Sequence, residues 1–238
     1  MDKLTKKLYD DEFLRKNITT FVITENNELA DVVKWNNIKV YNLRGGWHIF
    51  EKLNFKDTQL TFRISAFSFF QTNTLQAQVL FETAINMLPK IKWDILDLYC
   101  GAWTIGITLL KLWIWNNLLG IEVVKDAIVD ANVNAKLNWL TSKVKFIANK
   151  AESVDFSDSN YSLVVVDPPR SWLHKNVIKF LYNLKKKKDF VLLYVSCNPV
   201  TMARDLKLLV KLWFNVKKLK AVDMFPHTHH IEMIWIIV

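Results

Sequence analysis

The chain has 238 residues, enough for one to two domains with a sizeable core, and 51% hydrophobic with 23% charged residues is ordinary globular usage. Disordered, collagen-like and fibrous chains are excluded on that composition. Thirty-two Lys and Arg against 23 Asp and Glu give a net charge of +9, which fits a polyanionic partner such as nucleic acid.

Only Arg15, Arg44, Arg63, Arg170 and Arg204 of those basic residues are arginines, so a compositional bias toward Lys, Asn and Ile is the competing explanation of the charge. Two cysteines, Cys100 and Cys197, are too few for a disulfide framework and point to a reducing, cytoplasmic compartment. The segment 1–13 alternates Lys with Asp and Glu and does not read as a secretory signal. The most apolar stretch, 105–121, is broken by Lys111, Asn116 and Asn117, so no membrane partner is expected.

Short alternating runs FVIT, IKVYNL, HIFEKL and LTFRIS between Phe21 and Ser65 predict a small antiparallel sheet. Leu75, Val79, Leu80, Ala84 and Met87 recur at helical spacing and predict a linking helix over 74–88. After it the rhythm changes. The apolar runs DILDLY, NLLGIE, VKFIA, SLVVVD and FVLLYVS alternate with helical stretches at 104–112, 124–138, 174–184 and 199–212. This is the pattern of a doubly wound α/β sheet, followed by two last strands, FNVKKLKAVD and IEMIWIIV, with no helix between them. The expected division is a partial β-rich segment over 1–72, a linking helix over 73–89 and a Rossmann-like domain over 90–238.

Ligands of such sheets bind beyond the carboxyl ends of the strands. The first strand runs through Asp97-Leu98-Tyr99-Cys100-Gly101 into a turn that opens a helix at Thr104, and the second ends at Glu122. A strand-end carboxylate about 20 residues after a glycine turn is placed to accept ribose hydroxyls. The turn is too poor in glycine for a pyrophosphate, so an adenosine-bearing cofactor without phosphates fits better; an ordinary strand-end acid is the alternative. The Asp167-Pro168-Pro169-Arg170 segment puts another carboxylate at a strand end, with two prolines fixing an extended loop, as in methyltransferases that act on nucleobases. Cys197 stands between a strand and a helix that starts at Asn198-Pro199, where the helix N-terminus would favour a thiolate, although a lone cysteine is more often inert core. Cys100 reads as a packing residue. His227, His229 and His230 lack the companion ligands of a metal site, and no metal is expected; Glu232, at the start of the last strand, is placed as a base.

The composition holds one anomaly. Glycine numbers 5 where average usage of about 7% predicts roughly 17, while tryptophan numbers 10. Trp103 lies in the cofactor turn, Trp139 follows a helix end, Trp172 follows the DPPR segment, and Trp93 and Trp213 precede strands, all places where a chain commonly needs glycine. A gene whose UGA codons specify glycine but were read as tryptophan would produce that pattern, and Trp103 in the turn would then impair cofactor binding.

The segments DLYCG, GIE, VVVDPPR, YVSCNP with TMARDL, and DMFPHT with the following H-x-E occur in the order found in the RNA uridine-5-methyltransferases, and FRISAFSFFQTNTLQA upstream is similar as well. The chain resembles this family of S-adenosylmethionine enzymes, which form 5-methyluridine in transfer and 23S ribosomal RNA. The resemblance implies a Rossmann-like methyltransferase domain with a small N-terminal β-rich segment, S-adenosyl-L-methionine as cofactor, and a monomer acting on RNA, with the DPPR and DMFPHT wording leaning toward ribosomal RNA. It assigns cofactor contacts to Gln71, Tyr99, Thr104, Glu122 and Asp167, the nucleophile to Cys197 and the base to Glu232. Family members commonly carry an N-terminal RNA-binding barrel, and many an iron–sulfur cysteine cluster; the sequence contains neither, and reads as truncated or naturally short. A non-catalytic RNA-binding remnant and an amino-group nucleobase methyltransferase are the competing readings.

Overall fold

The structure, a computed structural model, describes residues 3–18, 20–25, 39–66, 68–90, 94–112, 117–153, 161–170 and 173–238, with the backbone alone described at 39–43. Two helices, α1 (Lys3–Asp10) and α2 (Glu12–Asn17), open the chain. They pack near a β-hairpin of β1 (Phe21–Glu25) and β2 (Lys39–Arg44), to which the Arg44 guanidinium ties them by donating to the Arg15 carbonyl at 2.9 Å. A second hairpin follows, β3 (His48–Phe55) paired with β4 (Thr58–Ser65). The four alternating runs therefore form two separate ribbons, not the single sheet expected, because β2 and β3 are joined at the Gly45-Gly46 turn without pairing to each other.

Helix α3 (Thr74–Met87) leads into a seven-stranded sheet. Its strands are β5 (Ile95–Leu98), β6 (Leu118–Glu122), β7 (Val144–Ala148), β8 (Leu163–Val166), β9 (Val191–Ser196), β10 (Val216–Val222) and β11 (Glu232–Ile237). They stand in the order β10-β11-β9-β8-β5-β6-β7. Strands β5 to β9 are parallel; β11 runs antiparallel between β9 and β10. The crossovers are α4 (Thr104–Leu112), α5 (Lys125–Leu137), α6 (Lys175–Lys187) and α7 (Pro199–Lys211), each within a few residues of the stretch its periodicity indicated.

The central strands are apolar throughout because both faces are covered. On β8 and β9 the alternation is visible residue by residue: Leu163, Val165, Leu193 and Val195 face the core shared with α3, α4 and the β3–β4 hairpin, whereas Val164, Val166, Leu192 and Tyr194 face α6 and α7. The hairpin contributes Leu53, Leu60 and Phe62, all fully buried, each worth about 1.5–3 kcal/mol relative to exposure.

Helix α5 holds the hairpin by a polar ladder. Asp130, Asn134 and Asn138 are spaced four apart, lie on one face and are buried. The Asn138 side chain accepts from Thr61 N at 3.1 Å and donates to Thr61 O at 2.8 Å. Asn134 does the same with Arg63, at 2.6 and 3.1 Å, and also donates to Ala102 O at 3.0 Å. Asp130 accepts from Ser65 N, Ser65 Oγ and Ser68 Oγ at 2.6–2.8 Å and pairs with Arg63 at 3.1 Å. Replacing Asn134 by Leu removes the partner of Arg63 N, Arg63 O and Ala102 O, of which only the bond to Ala102 O is fully buried; a buried group left unpaired costs about 1–3 kcal/mol and the part-buried pair less. Chemical denaturation of Asn134→Leu is expected to show a loss of about 2–4 kcal/mol; a stability within 0.5 kcal/mol of the parent, roughly the range of neutral surface changes, would mean the ladder contributes nothing.

Candidate active site

The parallel strands put Asp97, Glu122, Asp167 and Cys197 at or just beyond one edge of the sheet. Because β11 is antiparallel, its first residue lies at the same edge, and the pairing of Met233 with Ser196 sets Glu232 beside Cys197. The strand order reverses between β5 and β8, so these residues flank the switch point where such sheets bind ligands.

On the β5–β6 side, the Glu122 carboxylate accepts from Gly101 N at 3.0 Å and from Val124 N at 2.8 Å, which fixes the turn against the strand end. Two further lone-pair sites remain for an outside donor. Asp97 is buried, its Oδ2 has no hydrogen-bond partner, and burial together with the charges of Asp167 and Glu122 holds its carboxyl well above the usual range. Tyr99 is backbone-strained at φ 64°, and burial pushes its hydroxyl up to about 12 against a hydrogen bond with the His174 backbone. Cys100 is buried packing, as its neighbours indicated: its sulfur lies 2.9 Å from the place a Cβ on Gly120 would take, and burial raises its thiol well above normal.

On the β8–β9–β11 side, burial pushes Asp167 up to about 7. Burial, with the Asp167 charge adding and Arg170 opposing, pushes Glu232 up to about 8; its Oε2 is buried without a partner. Burial and the Glu232 charge also raise the half-buried Cys197 thiol, against a hydrogen bond from the Arg170 side chain. The helix terminus does not offset this, contrary to expectation. Asn198 caps α7 and accepts from Val200 N at 3.1 Å and Thr201 N at 3.3 Å, so the amides that would have stabilised a thiolate are already satisfied.

Two side chains lock the surrounding loops. Asp205 on α7 is fully buried and accepts from Leu173 N and Tyr194 Oη, both at 2.8 Å, anchoring the segment after Arg170 to β9. Asn73 caps α3 and donates to Met224 O at 2.9 Å, joining the loop that carries the buried Gln71 to the Asp223–Pro226 turn. Gln71 and Thr104 are not joined to the acidic cluster by a hydrogen bond or ion pair among the described residues. Arg170 and Asp97 were not singled out as functional from the sequence. Arg170 could have been, since it is one of five arginines in a lysine-rich chain and sits in the Pro-Pro loop. Among the described residues no three His, Cys, Asp or Glu side chains converge as a metal would require, and no helix is long and apolar enough to cross a membrane.

The family profile for tRNA (uracil-5-)-methyltransferase matches residues 36–155 and 142–237. The chain belongs to that family. An uncharacterized RNA methyltransferase of Caldanaerobacter subterraneus is 38% identical over 212 residues, 89% of this chain and 45% of its own length. One from Oceanobacillus iheyensis is 36% identical over 222 residues, 91% of this chain and 46% of its own. The crystal structure of Pyrococcus abyssi tRNA (uracil-54, C5)-methyltransferase in complex with S-adenosyl-L-homocysteine superposes with a TM-score of 0.71 at 33% identity, covering 92% of this chain and 51% of that one. The M. jannaschii tRNA m1G37 methyltransferase shares the fold alone, at 15% identity and TM-score 0.61 over 84% of this chain and 57% of its own. The chain thus spans about half the length of the curated relatives it matches. Its α/β sheet is the Rossmann-like methyltransferase fold.

The raised carboxyls have a consequence for stability. Folded Glu232 keeps its proton up to about pH 8, whereas an unfolded chain releases it near 4.5; Asp167 behaves likewise between 3.8 and about 7. Across that window the native state binds more protons, so stability is lost as pH rises. The melting temperature is expected to fall between pH 5 and pH 8, and Glu232→Gln, which removes one of the two groups, is expected to flatten the fall; an unchanged slope in the variant would show that Glu232 ionises normally.

Proposed function

We propose that this chain transfers a methyl group from S-adenosyl-L-methionine to C5 of a uridine in RNA, with Cys197 as nucleophile and Glu232 as base. The observation that carries the reading is the adjacency of Cys197, Glu232 and Arg170 at the strand edge, within a chain of the uracil-5-methyltransferase family.

The residues fit an adenosyl cofactor: Glu122 retains lone pairs for ribose hydroxyls, and Asp97 holds a buried, unpartnered oxygen beside the turn. Tyr99 and Gln71 would line that site, with Asp167 between cofactor and base, and Thr104 at the helix start. When bound, the cofactor supplies an electrophilic methyl.

Uracil C5 is a weak nucleophile, so Cys197 is required to activate it. The thiol gives up its proton to solvent, the sulfur adds to C6, and the electron pair of the C5–C6 double bond is displaced to C5; C5 would then take the methyl as the methyl–sulfonium bond breaks and the neutral thioether leaves. Arg170, hydrogen-bonded to the sulfur, stabilises the thiolate against the burial and the Glu232 charge that oppose it. The C5 proton then passes to the Glu232 carboxylate; the C5–C6 double bond re-forms and the C6–S bond breaks, returning the thiolate. Burial raises the Glu232 carboxyl, so the carboxylate, once ionised, is a stronger base toward that proton than an exposed one, and turnover should rise as pH climbs toward 8. The base must be unstacked from the RNA to reach this edge.

The RNA assigned is 23S ribosomal RNA, on the resemblance of the DPPR and DMFPHT segments. Transfer RNA is the second reading, favoured by the substrate named for the Pyrococcus relative. Methyl incorporation into both RNAs distinguishes them. Cys197→Ala is expected to abolish incorporation while leaving S-adenosyl-L-homocysteine binding intact, and residual turnover in that variant contradicts the mechanism. Glu232→Gln is expected to slow turnover by about 10²–10⁴-fold and to accumulate a protein–RNA adduct on denaturing gels; full activity without adduct removes Glu232 from its role.

A further inference from the structure

Five tryptophans lie among the described residues, Trp47, Trp103, Trp139, Trp213 and Trp235, and three of them have a left-handed backbone: Trp103 at φ 69°, Trp139 at 60° and Trp213 at 71°. Of all the other described non-glycine residues only Tyr99 and His227 share that conformation. A bulky L-residue is disfavoured there because its Cβ crowds the neighbouring carbonyl, and glycine is the residue that escapes the clash. Trp93 and Trp172, the other two suspected positions, lie outside the described residues.

Each of the three sits at a helix boundary. Trp139 and Trp213 follow the ends of α5 and α7 in the place of a left-handed helix cap: Trp139 N donates to Lys136 O at 3.1 Å and the next amide, Leu140 N, reaches back to Ala135 O at 2.8 Å. At α7 the same closure recurs, with Trp213 N on Val210 O and Phe214 N on Leu209 O, both at 3.2 Å. Glycine is the residue most favoured at such a cap. Both indoles project into solvent, at 84% and 79% exposure, so nothing in the packing rewards the aromatic ring.

Trp103 closes the cofactor turn, its N–H on Cys100 O at 2.8 Å. Its indole is fully buried against Phe146 and Gly106, and its Nε1–H has no hydrogen-bond partner. An unpaired buried donor and a left-handed bulky backbone at one position are two independent penalties. Tryptophan is therefore in excess where glycine is wanted, and glycine is short by roughly the same amount: 5 glycines and 10 tryptophans in 238 residues together approach the glycine complement an average chain of this length carries.

We infer that the natural polypeptide carries glycine at 103, 139 and 213, its gene being written in a code that reads UGA as glycine, so that the sequence with tryptophan is a mistranslation of those codons. The functional chain then has an unstrained turn between Tyr99 and Thr104, and position 103 is a positioning residue for the cofactor site. That consequence for the cofactor rests on the proposed function; the glycine assignment does not.

The codons are decisive. TGA is expected at 103, 139 and 213, and peptide mass spectrometry of the protein isolated from its own organism is expected to find glycine there; TGG codons, or tryptophan in the native peptides, overturn the inference. In the recombinant tryptophan chain, Trp139→Gly and Trp213→Gly are each expected to raise the melting temperature by about 2–4 °C, the shift that follows from removing one left-handed clash; a fall in both contradicts it. Trp103→Gly is expected to bind S-adenosyl-L-homocysteine about tenfold tighter by calorimetry. TGA codons with no gain in that affinity would uphold the glycine assignment and count against the cofactor site alone.

Discussion

The structure depends on side chains of α5 taking the place of a missing β-strand. A helix advances about 6 Å in four residues and a strand about 6.8 Å in two, so carboxamides and a carboxylate at positions 130, 134 and 138 can address alternate residues 65, 63 and 61 of β4 nearly in step. Each asparagine supplies both a donor and an acceptor, as a backbone peptide would. The edge of β4 is thereby satisfied without a neighbour, and the hairpin is fixed in one register on the methyltransferase sheet. Asn134 also reaches Ala102 O, so the same residue ties the hairpin to the turn that carries Gly101. From there the constraint passes along the chain: β4 leads to the Gln71 loop, Asn73 ends that loop on Met224, and the Met224 turn leads to Glu232.

At the strand edge this rigidity holds together groups that would otherwise separate. Asp97, Glu122, Asp167 and Glu232 are four acids gathered at one edge, three of them pushed above their ordinary range by burial. Burying such a cluster costs folding free energy, and perturbed carboxyls grouped at a strand edge are what makes this edge the candidate site. Arg170 is the counterweight: it acts on both Cys197 and Glu232, lowering each against the effect of burial. Asp205, buried on α7, ties Leu173 N to Tyr194 of β9 on the same side of the sheet.

Much of this was legible in the sequence. The sheet strands β5 to β9 declare themselves as unbroken apolar runs because both their faces are buried, and the crossover helices by apolar residues at helical spacing. Placing Asp97, Glu122, Asp167 and Cys197 at one edge needs only the parallel direction of those strands. The separation of the two hairpins was not legible, since alternation reports a buried face and not a partner. Helices α1 and α2 were missed, one strongly amphipathic but short, the other six residues long with no buried side chain. The ladder on α5 was not legible because periodicity marks apolar faces, and that Asp130, Asn134 and Asn138 are buried against a strand is a tertiary fact. The state of Cys197 was misjudged for a similar reason: proximity to a helix start is visible in sequence, but occupation of its amides by Asn198 and burial of the sulfur are tertiary facts. Trp103 stood out in the sequence by its place in the turn, but that its ring is fully buried in the core was not legible there.

The central claim is that Cys197 bonds covalently to the pyrimidine. An RNA carrying 5-fluorouridine gives the most direct measurement, because fluorine at C5 cannot leave as a proton does, and the C6–S bond would persist after methyl transfer. Digestion of the denatured complex and mass analysis of the peptides is predicted to find the nucleotide on Cys197, in the peptide that contains Asn198 and Pro199. A nucleotide on Cys100, or methylated fluorouridine RNA with no covalent peptide, would contradict the account.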